Sequence, residues 1–333
     1  MPVASDDEPN RIIQADNLAV LPTLPDGRFA LVYLDPPFNT GRSQARQATR
    51  HTRVDTSAAA PNDEQATDAP RAAAPSTLRR AQGAASSGRA GTITGFAGQR
   101  YERIRGDLLR YDDRFDDYWG FLEPRLIEAW RLLADDGTLY LHLDYREAHY
   151  AKVLLDALFG RECFLNELIW AYDYGAKTKR KWPTKHDTIL VYVKNPAGYW
   201  YDSSAVDREP YMAPGLVTAE KAALGKLPTD VWWHTIVSPT GREKTGYPTQ
   251  KPEGILRRIV QASTREGDWV LDFFAGSGTT GAVAATLGRR FVLVDENPEA
   301  IAVMRARFAD VAGVMFETGV VFETGVAAVP PGR

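Results

Sequence analysis

The chain has 333 residues, of which 44% are apolar and 25% charged, with a formal net charge of −3. That balance is ordinary for a soluble folded chain of one large domain and a smaller one. No run approaches the roughly 18 apolar residues of a membrane span, and the single cysteine, Cys163, excludes an intramolecular disulfide and a cysteine-rich metal centre. Met1 to Glu8 are acidic and carry no apolar core, so they do not read as a signal peptide and the expected location is the cytoplasm.

In chain order, Arg11 to Gln14 reads as a short first strand, followed by Asp16 and Asn17. Phe29 to Leu34 is a continuous apolar run of strand length, the pattern of a strand covered on both faces. It ends in Asp35-Pro36-Pro37-Phe38. From Asn39 to Gly95 the text changes: only Val54, Leu78 and Ile93 are large and apolar, and no aromatic occurs. Such a stretch cannot bury enough surface to offset the entropy of ordering it. Helical spacing returns over Asp117–Leu133, where Phe121, Leu122, Leu126, Ile127, Trp130 and Leu133 share a face. Asp135-Asp136-Gly137 ends that helix. Thr138–Leu143 is a strand, Arg146–Leu158 a helix, and Leu165–Ala171 and Asp187–Val193 are further strands. Residues 195–245 break this rhythm with Trp200, Tyr201, Tyr211, Trp232 and Trp233 among glycines and prolines. A helix over Pro252–Ala262 then leads into the strand that starts at Trp269. Thr279–Leu287 is a helix and Arg290–Asp295 a strand. The tail nearly repeats itself, Val314–Val320 and Val321–Val326, as a terminal hairpin or a duplication without a role. About seven strands alternating with helices make an α/β protein, with a largely parallel sheet covered on both faces.

Two stretches carry chemistry. In the first, Pro36 and Pro37 fix φ and remove two N–H donors, which leaves the carbonyls of the turn free as acceptors. With the Asp35 carboxylate before them and the Phe38 ring after, the turn suits a planar ring bearing an amine. Taken alone it is equally a strand-ending turn. In the second, Gly276, Gly278 and Gly281 follow a strand and open a helix, as in the dinucleotide fingerprint, and Asp295 ends the next strand where a ribose partner would lie. NAD is the first guess from that pattern. Chain position argues against it, because too few residues follow Gly281 to build the rest of such a sheet. The remaining strands come from the N-terminal side, so the domain is circularly permuted, with the acceptor turn first and the glycine loop last.

Three segments in this order, Asp35-Pro-Pro-Phe-Asn-Thr-Gly41, Tyr247-Pro-Thr-Gln-Lys-Pro252 and Asp272-Phe-Phe-Ala-Gly-Ser-Gly-Thr-Thr280, resemble the β-class S-adenosylmethionine-dependent DNA amino-methyltransferases. The likeness spans nearly the whole chain except about residues 42–105. It implies a circularly permuted Rossmann-like methyltransferase fold with a small target-recognition subdomain. Its catalytic half would be 1–41 and 106–194, its target-recognition region 195–245, its cofactor half 246–312 and its tail 313–333. The resemblance implies Asp35, Pro36, Pro37 and Phe38 as the catalytic group. For S-adenosyl-L-methionine it implies Asp16, Asn39, Thr40, Thr249, Gln250, Lys251, Asp272, Phe273, Ala275, Gly276, Ser277, Gly278, Thr279, Thr280 and Asp295. Asp rather than Ser at position 35 favours adenine N6 over cytosine N4, the alternative acceptor. A catalytically silent DNA-binding relative is the reading from another class, and intact acceptor and glycine segments speak against it. Double-stranded DNA is the implied partner, with a homodimer and a cognate restriction endonuclease as further ones and no membrane. His142 and Asp144 end a strand aimed at the same face, as a site wall or as strand-end polar residues. His186 and His234 stand apart from other ligands at metal spacing, and no metal is expected.

Local charge matters more than the net value for a DNA partner. Lys177, Lys179, Arg180, Lys181 and Lys185 put five positive charges into nine residues without an acid, interleaved with Trp170, Tyr172, Tyr174 and Trp182. Such a segment can track phosphates and offer a stacking face. The stretch 42–105 is also basic, with eleven arginines against five carboxylates. It is either a segment that sweeps along DNA or a tolerated surface insertion. Replacing residues 42–95 by a short Gly/Ser linker should leave the melting temperature nearly unchanged, because few apolar contacts are lost. The slope of log K against log salt for DNA binding separates the two readings: it flattens only where the arginines meet phosphates.

Overall fold

A computed structural model describes residues 8–38, 116–175, 177–238 and 240–319. Chain order is β1 (Asn10–Gln14), α1 (Asn17–Val20), β2 (Phe29–Leu34), α2 (Asp116–Leu132), β3 (Leu133–Leu143), α3 (Ala148–Phe159), β4 (Phe164–Ala171) and β5 (His186–Val193). Then come α4 (Ala219–Leu224), β6 (Val231–Trp233), α5 (Glu253–Ser263), β7 (Trp269–Asp272), α6 (Thr279–Thr286), β8 (Arg290–Asp295), α7 (Pro298–Arg307) and β9 (Val314–Thr318). The strands form one sheet in the order β6-β4-β5-β3-β2-β7-β8-β1-β9.

All six residues of β2 are buried, as its unbroken apolar run requires of a strand with helices on both faces. Its side chains divide between two cores. Val32 and Leu34 join Leu122 and Leu126 of α2 and Ala151 and Leu155 of α3 on one face. Leu31 and Tyr33 join Ile255 and Ile259 of α5, Val283 of α6 and Met304 of α7 on the other. A register shift between Phe29 and Leu31, opposite β3, returns Phe29 to the first core.

β2 runs parallel to β3 and to β7, β7 to β8, and β8 to β1. Their C-terminal ends therefore share one edge of the sheet, where ligands of open α/β sheets bind. β5 is antiparallel to β3 and to β4, with Leu143 opposite Thr188 and Ala171 opposite His186. That reversal brings the β4–β5 connection, 172–185, out at the same edge. The end of β6, parallel to β4, arrives there too.

The described residues hold nine strands where about seven were expected. The additions are the short β6 inside 195–245 and β9, the first copy of the repeated tail. β9 pairs in parallel with β1, and Arg11 reaches across to Glu317 with two bonds of 2.6 and 2.7 Å. A strand three residues long gives no periodicity to read, and β9 shows only its pairing, not its alternation. The second copy and the 42–105 insert lie outside the described residues. Among the described residues no helix is long and apolar enough to cross a membrane.

Candidate active site

Asp35 leaves the end of β2 at the shared edge. Its Oδ2 accepts a hydrogen bond of 2.5 Å from Lys251 Nζ, and both side chains are largely buried. Its Oδ1 is buried and has no partner among the described residues. Pro36 is buried and Pro37 exposed. The Phe38 ring packs on the first core, with Lys251 Nζ 5.2 Å from its centroid and the His142 imidazole at 6.2 Å. Asn39 and Thr40, the next residues of the expected site, lie outside the described residues.

His142 is neither solvated nor open to the site. It is fully buried, 2.8 Å through Nδ1 from Tyr33 Oη and 3.3 Å through Nε2 from Asp187 Oδ2. Tyr172 Oη donates to Asp187 Oδ1 at 3.1 Å. Burial pushes the Asp187 carboxyl up, but the bond and charge of His142, the charge of Lys251 and the Tyr172 bond outweigh it and hold its pKa below the ordinary value. Burial, then the charge of Asp35, raises the Tyr33 phenol well above its usual range, so Tyr33 stays neutral. Asp144 pairs with Arg146, two residues on.

The glycine loop leaves β7, the neighbour of β2. Gly276 and Gly278 have φ of 50° and 72°, which side-chain-bearing residues rarely adopt. Gly276 faces the Tyr247 ring, and Gly281 packs so closely on β8 that an added Cβ would lie 2.6 Å from Leu293 Cδ1. Asp272 is wholly buried beneath the loop. It accepts from Thr280 Oγ1 at 2.6 Å and from the Phe274 N–H at 3.0 Å. Burial drives its pKa up from 3.8 to about 7. Asp295, at the end of β8, accepts from the N–H groups of Gly276 (2.7 Å) and Asn297 (2.9 Å), and burial raises its pKa. Ala275 N–H donates to the Val294 carbonyl, and buried Phe273 accepts through its carbonyl from Asn17 Nδ2 at 3.0 Å. Ser277 Oγ and Thr279 Oγ1 lie 3.0 Å apart, and Arg307 donates to the Ser277 carbonyl and to Thr279 Oγ1.

Asp16 lies on the same edge, after β1. It caps α1 through the Leu18 N–H, and Arg125 from α2 reaches it at 3.5 Å. In the segment before α5, Gln250 is committed to its own loop: its Oε1 accepts from Thr245 N–H and Oγ1, and its Nε2 donates to the Glu243 carbonyl. Thr249 is the only non-glycine residue with positive φ among those described, at 64°. The Lys251 carbonyl accepts from Thr279 Oγ1 at 3.2 Å. Lys251 therefore touches the acceptor turn with its side chain and the glycine loop with its main chain.

A family model described as DNA methylase matches residues 29–306, a span that holds both the acceptor turn and the glycine loop. The chain belongs to the N6/N4 DNA methylase family. It is 31% identical to the type II methyltransferase M.HpaI of Haemophilus parainfluenzae over 58% of this chain and 60% of that protein. It is 33% identical to the DNA adenine methyltransferase YhdJ of Escherichia coli K12, over 60% of this chain and 69% of that one. The match therefore spans less than two thirds of M.HpaI. Among solved structures, the PvuII DNA methyltransferase, cytosine-N4-specific, superposes with a TM-score of 0.54 at 15% identity, covering 92% of this chain and 91% of that one. TTHA0409 of Thermus thermophilus does so at 0.51 and 20% identity, covering 93% and all of that chain. These likenesses establish the fold.

In this chain the basic run occupies the β4–β5 connection at the site edge. Lys177, Lys179, Arg180 and Lys181 are exposed, and Trp182 is 93% exposed. Lys181 Nζ lies 5.5 Å from the Tyr145 ring. Lys185 instead donates to the carbonyls of Asp173 and Gly175 and so closes the base of the loop. Sequence reading did not single out Asn17, Arg125, Tyr33, Asp187 or Arg307. Each acts through partners distant in the chain and has no local signature.

The Asp272 shift has a definite sign. A carboxyl with a raised native pKa binds more protons folded than unfolded, so its contribution to stability falls as pH rises from about 4 to about 7 and is flat above. Asp272→Asn mimics the protonated form. Urea unfolding across that window should show the variant gaining on the parent by roughly a few kcal/mol as pH rises. A constant difference between the two would show that Asp272 titrates normally.

Proposed function

We propose that this chain transfers a methyl group from S-adenosyl-L-methionine to the N6 amine of a flipped-out adenine in double-stranded DNA. The observation that carries the reading is the Asp35 carboxylate: one oxygen tied to Lys251, the other buried with no partner among the described residues, at the end of the strand beside the glycine loop.

The loop suits the cofactor. Gly276 and Gly278 give the loop its positive-φ turn, with Gly278 packed on Met304 of α7 and on Phe308 just after it, and Thr279 and Thr280 open α6, where N–H groups favour a carboxylate. Asp295 uses one lone pair on each oxygen for Gly276 and Asn297, and each oxygen keeps another for a ribose hydroxyl. The TTHA0409 structure, of the same fold, was also solved complexed with S-adenosyl-L-methionine. When bound, the cofactor supplies a methyl group made electrophilic by its sulfonium. Asp16, Asp272, Phe273, Ala275 and Ser277 would shape that pocket, and the resemblance adds Asn39, Thr40, Thr249 and Gln250 to it.

The protein's part is to hold the amine. Adenine N6 is a poor nucleophile because its lone pair is delocalised into the ring. Asp35 Oδ1 accepts one N6–H and the Pro36 carbonyl the other, which favours the pyramidal nitrogen. Both bonds strengthen as positive charge develops, so they stabilise the transition state more than the ground state. Phe38 stacks on the base, which must leave the duplex to reach this depth. Lys177, Lys179, Arg180 and Lys181 would meet phosphates, and residues 195–245 would read the target.

YhdJ, named a DNA adenine methyltransferase, favours adenine, as does Asp at position 35. Cytosine N4 is the second reading, since the PvuII enzyme of that specificity shares the fold. Nucleoside mass spectrometry of treated plasmid decides: N6-methyladenine is expected, and N4-methylcytosine alone would overturn the acceptor assignment. Asp35→Ala should lower turnover by at least about 10²-fold. Calorimetric affinity for S-adenosyl-L-methionine should change little, and neither protein should give heat with NAD. Near-normal turnover would leave Asp35 a structural residue.

A further inference from the structure

We propose that Lys251 is a positioning residue for the acceptor carboxylate: it holds Asp35 by one oxygen so that the other is presented to the substrate amine. The inference rests on the methyltransferase reading and assigns Lys251 to the acceptor side of the site rather than to the cofactor.

A free carboxylate at a strand end can rotate about its side-chain bonds, and each rotamer presents a different oxygen. Here one oxygen is taken. The 2.5 Å bond from Nζ to Oδ2 joins two charged groups in a partly buried setting, where such bonds are short and strong. Oδ1 is left as the oxygen buried with no partner among the described residues. A buried, unpartnered carboxylate oxygen is costly unless a donor arrives. The arrangement thus asks for one N–H donor at one place, which is what an exocyclic amine brings.

The lysine is itself held. Its ammonium lies 5.2 Å from the centre of the Phe38 ring, the surface on which the base would stack. Its carbonyl accepts from Thr279 Oγ1, at the start of α6, and Arg307 donates to the same hydroxyl from α7 while pairing with Glu253 of α5. Glu253 follows Lys251 by two residues. Three helices therefore fix the main chain of Lys251 while its side chain reaches Asp35, 216 residues away in sequence. Through this one residue the loop that would hold the methyl donor sets the orientation of the group that would hold the acceptor.

The ammonium also neutralises part of the charge that Asp35 would otherwise place on Tyr33 and Asp272, both of which feel the Asp35 carboxylate. Its effect reaches Asp187 as well, the carboxylate that supports His142 behind the Phe38 ring. Lys251 is thus balanced against carboxylates on both sides of the turn.

The test compares the wild-type chain with Lys251→Met and Lys251→Arg in methyl transfer from tritiated S-adenosylmethionine to plasmid DNA, with calorimetric cofactor affinity measured in parallel. Lys251→Met should lower kcat by about 10²-fold, the cost of a misplaced reacting group. The dissociation constant for S-adenosylmethionine and the KM for DNA should change by less than about threefold, a shift well under one 1.4 kcal/mol tenfold step. Lys251→Arg should recover part of kcat, since a guanidinium can still donate to Oδ2. Lys251→Ala should regain turnover in millimolar ethylammonium and not in tetramethylammonium, which has no N–H to give. An active wild type with an unchanged kcat in Lys251→Met would overturn the proposal alone. So would weakened cofactor binding with unaltered saturated turnover. A wild type inactive on every DNA tested would instead defeat the methyltransferase reading and this inference with it.

Discussion

The parallel pairing of β2 with β7 is the constraint on which the site depends. Leu31 lies opposite Val270 and Val32 opposite Leu271. Just beyond, the strands end, with Asp35 on one side and Asp272 and its glycine loop on the other. Adjacent strands in a sheet lie about 4.8 Å apart, so a shared register places acceptor turn and glycine loop side by side. A slip by one residue would exchange the two faces of β2 between the two cores and separate Tyr33 from His142. The sheet supplies the nearness, and the loops supply only the chemistry.

Carboxylates crowd that edge, and each is managed differently. Asp295 is held by two main-chain N–H groups and Asp187 by a histidine and a tyrosine. Asp272 is wholly buried, and a hydroxyl and one N–H do not offset that burial. Of these four, Asp35 is the one met by a lysine. On the proposed function the crowding has a use, since negative charge nearby favours both a cationic methyl donor and an amine that becomes positive as it reacts. It also explains why the supporting groups come from so many elements: no single loop carries enough donors.

The acceptor turn and the glycine loop were legible in the sequence because each is contiguous. Two prolines after an apolar run and three spaced glycines before a helix state their own conformations. Element boundaries for β2, β7 and β8 followed from continuous apolar runs. What was illegible is pairing across distance. Lys251 falls in a segment that resembles a cofactor-side stretch, and nothing local says that its ammonium meets Asp35. Asn17 on the Phe273 carbonyl spans 256 residues and is equally silent. His142 could be read as exposed because a strand end usually is. Its burial follows from Tyr33 and Asp187 arriving from two other strands. β6 escaped because three residues inside an aromatic, glycine-rich interval carry no period.

The place of β1 has a consequence for how the molecule is made. Its partners among the described residues are β8 and β9, and the Phe291 N–H donates to Asn10 Oδ1 across 281 residues. During synthesis this early strand leaves the ribosome with neither neighbour to pair with. It waits until β8 has emerged, holding Ile12 and Ile13 without their native cover in the meantime. Non-local pairing of this kind slows folding, because loop-closure entropy is lost before contacts return it. Permuting the order of the halves therefore moves a slow step late into translation, and the nascent chain is most open to chaperones and proteases just before the site first exists.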